Sequence, residues 1–138
     1  MARLPDWPAR LHAFIDTVKR REHHYGEFDC ALGFASGLVD ALTGEDPAAP
    51  YRGRYTTAVG AVRVMRNEGY QTLADLAGSH LREIHVSEAM LGDLAAVPDE
   101  SPFGFALGIV NGERLMVLRE DGLGSRDLFS ATRAFRVG

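Results

Sequence analysis

Near residue 83 the spacing of apolar residues changes period, and that change constrains the fold more than any other feature of the chain. Before it, apolar residues recur at helical spacing: Trp7, Leu11, Phe14, Ile15 and Val18 in one segment, then Leu32, Ala35, Leu38, Val39 and Leu42 in the next. After it come short runs of β-branched, aromatic and aliphatic residues: REIHV, GDLAAV, FALGIV, RLMVLRE, SRDLFS and TRAFRV. Asn111-Gly112 is a type I′ hairpin signal and Asp121-Gly122 a second. Helices followed by an antiparallel meander make an α+β protein, with about five or six strands expected across residues 83–137.

Local signals set the expected helix boundaries. Asp6 can cap the first helix, with Pro8 in its opening turn, and the charged run Lys19-Arg20-Arg21-Glu22 closes it. Asp29 reads as the N-cap of a second helix ending near Thr43, with Gly44 as its stop. Gly33 and Gly37 each cost about 1 kcal/mol against alanine inside a helix, so a close crossing is expected there, with both glycines facing the sheet. A third helix is expected over residues 57–67, closed by Gly69, and a short fourth from Thr72, where TLAD reads as a capping box. GEDPAAPYRGRY is the one long connection.

Bulk composition narrows the function classes. At 138 residues the chain fits a single domain spanning 1–138 with a core of its own. A net charge of −4 provides no general basic field, so nucleic acid is not the expected partner. One cysteine excludes an internal disulfide framework and a Cys-rich metal site, so folding in a reducing cytoplasm is expected, with no cofactor and no metal. MARLPDWPARLHAF lacks the continuous apolar stretch of a signal peptide, and no later segment is apolar for long enough to span a membrane.

Cys30 is the candidate nucleophile, because a cysteine opening a helix gains from the helix N-terminus, and an adjacent imidazole would favour its thiolate further. The alternative is a small buried hydrophobe at the start of a core helix. The base must come from elsewhere. His23 and His24 precede Cys30 closely but follow a charged helix end, His12 and His80 sit in helices without partners in sequence, and His85 reads as a satisfied structural residue.

Tyr25-Gly26, Phe28-Asp29-Cys30, Gly92-Asp93-Leu94 and Leu107-Gly108-Ile109-Val110 with Asn111-Gly112 together resemble the NlpC-type branch of the papain-like cysteine peptidases. The stretch 43–69, with Tyr51-Arg52-Gly53-Arg54-Tyr55 before the Gly60-Ala61 helix, resembles small phage-encoded relatives found among tail-assembly genes. The first resemblance implies a papain-like fold, with the helical half packed on a C-terminal antiparallel sheet. It also implies a Cys30 nucleophile, a histidine base on the strand after the GD strand, and an orienting polar residue on the next. Ala106 stands where the histidine is implied, and the orienting position falls within the apolar Leu115-Met116-Val117-Leu118.

The resemblances therefore imply a structural or accessory protein of a bacteriophage tail, with a degenerate peptidase site. It would bind other tail proteins and reside in the virion after assembly in the host cytoplasm. The alternative is an active cysteine amidase or endopeptidase that cuts peptidoglycan during phage entry. Tyr51, Arg52, Arg54 and Tyr55 are the expected interface residues, since arginine and tyrosine are enriched at protein contacts. A loop folded back on its own domain is the competing reading.

Overall fold

The computed structural model describes all residues, 1–138. Four helices, α1 (Trp7–Val18), α2 (Ala35–Thr43), α3 (Ala58–Asn67) and α4 (Leu73–His80), precede the strands. The strands are β1 (Arg82–Ile84), β2 (Leu94–Pro98), β3 (Phe105–Asn111), β4 (Arg114–Arg119), β5 (Gly122–Asp127) and β6 (Arg133–Arg136). They form one antiparallel sheet in the order β1-β6-β2-β3-β4-β5. The α+β organisation expected from the change of period is the one observed.

Alternation along the strands sorts side chains between two cores. Leu94, Ala96, Leu107, Ile109, Leu118 and Phe135 join the helices in the larger core. Ala95, Val97, Val110, Leu115, Val117 and Ala134 face the other way, into a smaller core. That core is completed by Val86, Leu128 and Ala131, from two single 3-10 turns and their flanks. The SRDLFS run, expected as one strand, divides at Asp127, whose carboxylate accepts from Phe129 N–H and starts the second of these turns.

Both hairpins form one residue away from their expected positions. Asn111 pairs with Arg114, so the tight loop is Gly112-Glu113, and only Gly112 has positive φ. A type I′ turn needs two such residues, so this turn is of another type. Arg119 pairs with Gly122, so Glu120-Asp121 forms the second loop and Gly122, at φ +121°, closes it.

Thr57 and Thr72 cap α3 and α4 through their hydroxyls, which accept from Gly60 N–H and Asp75 N–H. Asp6 flanks α1 without a capping bond and pairs instead with Arg10 at 2.8 Å. The expected close crossing exists, but it involves a different neighbour: a Cβ on Gly37 would stand 2.7 Å from Cε1 of Phe14 in α1, so Gly37 faces a helix and not the sheet. Gly33 lies outside α2 altogether.

Candidate functional site

The second helix was expected to begin at Asp29, but it begins at Ala35. Residues 29–34 form a sequence of turns, and two causes divert them from the helix. Gly33 adopts φ +80°, a left-handed conformation that interrupts helical geometry. The Asp29 carboxylate accepts from Gly26, Ala31 and Leu32 N–H at 2.8–3.0 Å and from Tyr55 Oη at 2.7 Å, which ties the turn to two other segments. An aspartate can serve equally as a helix cap or as the centre of such a turn. Cys30 is thereby removed from the helix N-terminus that would have lowered its pKa.

The sheet determines where Cys30 goes instead. Val110 exchanges backbone bonds with Gly92 and Asp93, so alternate residues of β3 bond toward β2 and the intervening ones toward β4. Leu107 belongs to the second set. However, β3 and β4 pair only from Gly108↔Val117 onward, and their other ends diverge. The Cys30 thiol fills the gap. It accepts from Leu107 N–H at 3.2 Å and donates to Leu107 O at 3.4 Å, taking the place that a β4 residue would have in the ladder. Burial is the main cause that pushes the thiol from 9.0 up to about 12; Asp29 and Asp99 add to the rise, while the Leu107 bond opposes it.

A cleft of about 360 Å³ opens beside the divergent strand ends. Asp29, Cys30 and Ala106 line it, together with Tyr25, Tyr55, Arg119, Glu120 and Arg126. Tyr25 Oη donates to Glu120 at 2.6 Å, which links residues 95 apart in sequence. Desolvation and the neighbouring carboxylates raise both phenols, Tyr55 through Asp29 and Tyr25 through Glu120. None of the five histidines lines the cleft. His23 packs edge-on against Tyr25, His24 approaches the Tyr25 carbonyl, and His85 caps the 3-10 turn at Val86. Leu115 and Val117, within the implied orienting stretch, are core residues.

The 51–55 loop lies against the turn that precedes Cys30. Gly53 N–H bonds Gly26 O, and a Cβ on Gly26 would stand 1.9 Å from Tyr55 O, so no side chain fits at that position. Arg52 pairs with Asp46 and Arg54 with Glu68, both at the surface. Tyr51 packs edge-on against His80. The structure thus brings Cys30, Tyr55 and Tyr25 together around Asp29 and leaves Arg52 and Arg54 facing outward. Asp29 as a hub, and Arg119, Glu120 and Arg126 as lining residues of the cleft, were not apparent in sequence. The only available signal was the Asp29-Cys30 adjacency.

The geometry matches that of a known fold. The chain superimposes on the crystal structure of the NlpC/p60 domain of the peptidoglycan hydrolase SagA with a TM-score of 0.52 and 20% identity, covering 93% of this chain and 97% of that one. The fold is therefore NlpC-like and papain-like, as the resemblance implied. Residues 2–137 match the model of a family described as a domain of unknown function, DUF6950, and the chain belongs to that family. No curated protein matches it in sequence. No helix is long and apolar enough to cross a membrane.

Proposed function

We propose that this chain is a non-hydrolytic protein built on the NlpC/p60 fold, acting as a structural or accessory component of a bacteriophage tail. One observation carries the first part: the Cys30 thiol is engaged with both the donor and the acceptor of Leu107, in a cleft that no histidine lines. A cysteine nucleophile needs its thiolate form and a base within hydrogen-bond reach. Here burial and two carboxylates favour the neutral thiol. Ala106, on the strand after the GD strand, has no proton to exchange, and we read it as a lost histidine. The tail assignment is supported by the resemblance of residues 43–69, and it makes other tail proteins the partners and the virion the destination. On this reading the outward-facing Arg52 and Arg54, with Tyr51 and Tyr55 behind them, contact a neighbouring tail protein.

The test has two arms. Purified protein incubated with peptidoglycan is expected to release no new amino groups, and mass spectrometry of purified virions is expected to find the chain. Cys30-dependent release of peptide would establish the hydrolase alternative. Absence from virions would remove the tail assignment.

A further inference from the structure

The two edges of the sheet are unlike. β1 has three residues, of which Arg82 and Glu83 are charged, and Glu83 pairs with Arg133 at 2.8 Å. β5 runs for six residues, Gly122–Asp127, with no proline and no charge before Arg126. Edge strands that must not pair are normally short, charged or covered. β1 follows that rule and β5 does not.

Register fixes what β5 offers. The alternation that sends Leu107 toward β4 makes Ile109↔Met116 a bonded pair, so Leu115, Val117 and Arg119 bond toward β5 through Arg126, Gly124 and Gly122. The backbone N–H and C=O groups of Leu123 and Ser125 therefore point away from the sheet. Directly opposed residues share a face, so Arg119 and Arg126 project on the side where Gly122 and Gly124 have no side chains. Arg119 Nε passes 3.9 Å from the point where a Cβ on Gly124 would stand. Neither guanidinium has an ion-pair partner. The 3-10 turn that follows, Leu128–Ser130, carries Phe129, which is 76% exposed.

We propose that the open edge of β5 is a strand-addition site for an extended, acidic segment of a partner protein. Its backbone pairs with Leu123 and Ser125, its carboxylates meet Arg119 and Arg126, and an apolar residue covers Phe129. A second copy of this chain is the poorer occupant. Pairing β5 with itself about Ser125 sets the two Arg126 side chains diagonally on one face, with each Arg119 beside them and no carboxylate between. The inference rests on the sheet edge and holds whether or not the protein is a tail component.

The probes are two synthetic peptides, one alternating glutamate with valine and one alternating lysine with valine, read by amide hydrogen exchange. The net charge of −4 gives the acidic peptide no general attraction, so its preference would have to come from the edge itself. At about ten times its Kd, the acidic peptide is expected to slow exchange at Leu123 and Ser125 roughly tenfold, leaving β1 amides unchanged. Ser125→Pro removes an outward N–H without touching the β4 ladder and is expected to abolish the protection of the Leu123 amide. Should that variant unfold, Arg119→Glu with Arg126→Glu decides, by transferring the preference to the lysine peptide. Three results overturn the proposal: no protection at Leu123 and Ser125, equal protection by both peptides, or a concentration-dependent dimer of the protein alone that already protects these amides.

Discussion

Two aspartates, Asp29 and Asp93, are almost completely buried, at 4% and 0% exposure, and they are satisfied in opposite ways. Asp93 faces cations: Arg3 Nη2 at 2.9 Å and Arg136 Nε at 3.2 Å. The Arg136 contact is an ion pair without hydrogen-bond alignment, since its Nε has no hydrogen-bond partner. Asp93 also accepts from Met90 and Val137 N–H, which fastens the chain's last strand and its first residues to the start of β2. Asp29 has only neutral donors, three backbone N–H groups and one phenol. Its charge is held in place without a cation beside it, and part of its effect falls on Cys30, whose proton it helps to retain. A thiolate site needs the reverse, a positive group next to sulfur. The cation-paired aspartate holds the sheet to the termini, and the one without a cation adds to the burial that keeps the thiol neutral.

The largest effect is expected at Asp93. Asp93→Ala leaves two guanidiniums facing a buried void, and breaking such a pair from one side costs about 3–5 kcal/mol, to be measured by denaturant unfolding. Asp29→Ala strands neutral donors, some of which can reach water through the cleft, and is expected to cost roughly 2–3 kcal/mol. A larger loss at Asp29 than at Asp93 would break the contrast.

Alkaline titration sharpens it further. The Cys30 pKa is raised on folding, so the folded state keeps a proton that the unfolded chain gives up above about pH 9. Stability is then complete below that pH and declines as pH rises toward 12, by at most about 1.4 kcal/mol per pH unit for one group. The raised tyrosines, which ionise near pH 10 in the unfolded chain, contribute alike to both proteins, so between pH 9 and 10 wild type is expected to lose stability more steeply than Cys30→Ala; parallel curves would contradict it. The smallest effect is expected for Tyr55→Phe, which keeps the ring and removes one of four donors to Asp29, at about 1 kcal/mol in thermal unfolding.

The sheet was legible because GDLAAV, FALGIV and TRAFRV are short runs of strand-forming residues, with turn signals among the later ones, and each run feeds both cores in the structure. The third and fourth helices were legible because Thr57 and Thr72 act locally, on amides three residues away. The candidate site was less so. Cys30 and Tyr25 could be named, but the turn at residues 29–34 depends on Tyr55 and Leu107, which lie 26 and 77 residues downstream of their partners. Local propensity carries no record of such bonds, so a helix cap and a buried turn looked alike at Asp29. The hairpins shifted by one residue for a related reason: strand register, not the Asn-Gly or Asp-Gly pair, decided which two residues formed each loop.

The central claim is that Cys30 is fixed in place by the Leu107 backbone of β3 and kept as a neutral thiol by burial, with Asp29 and Asp99 adding to the effect. The direct measurement is its thiolate absorbance in the ultraviolet as a function of pH, taken as the difference between wild type and Cys30→Ala while circular dichroism confirms the fold. With a single cysteine the signal has one source. No thiolate is expected below about pH 9 in the folded protein, with ionisation displaced toward 12. A thiolate already present near pH 7, as in activated cysteines with a pKa of about 3.5–7.5, would contradict the account.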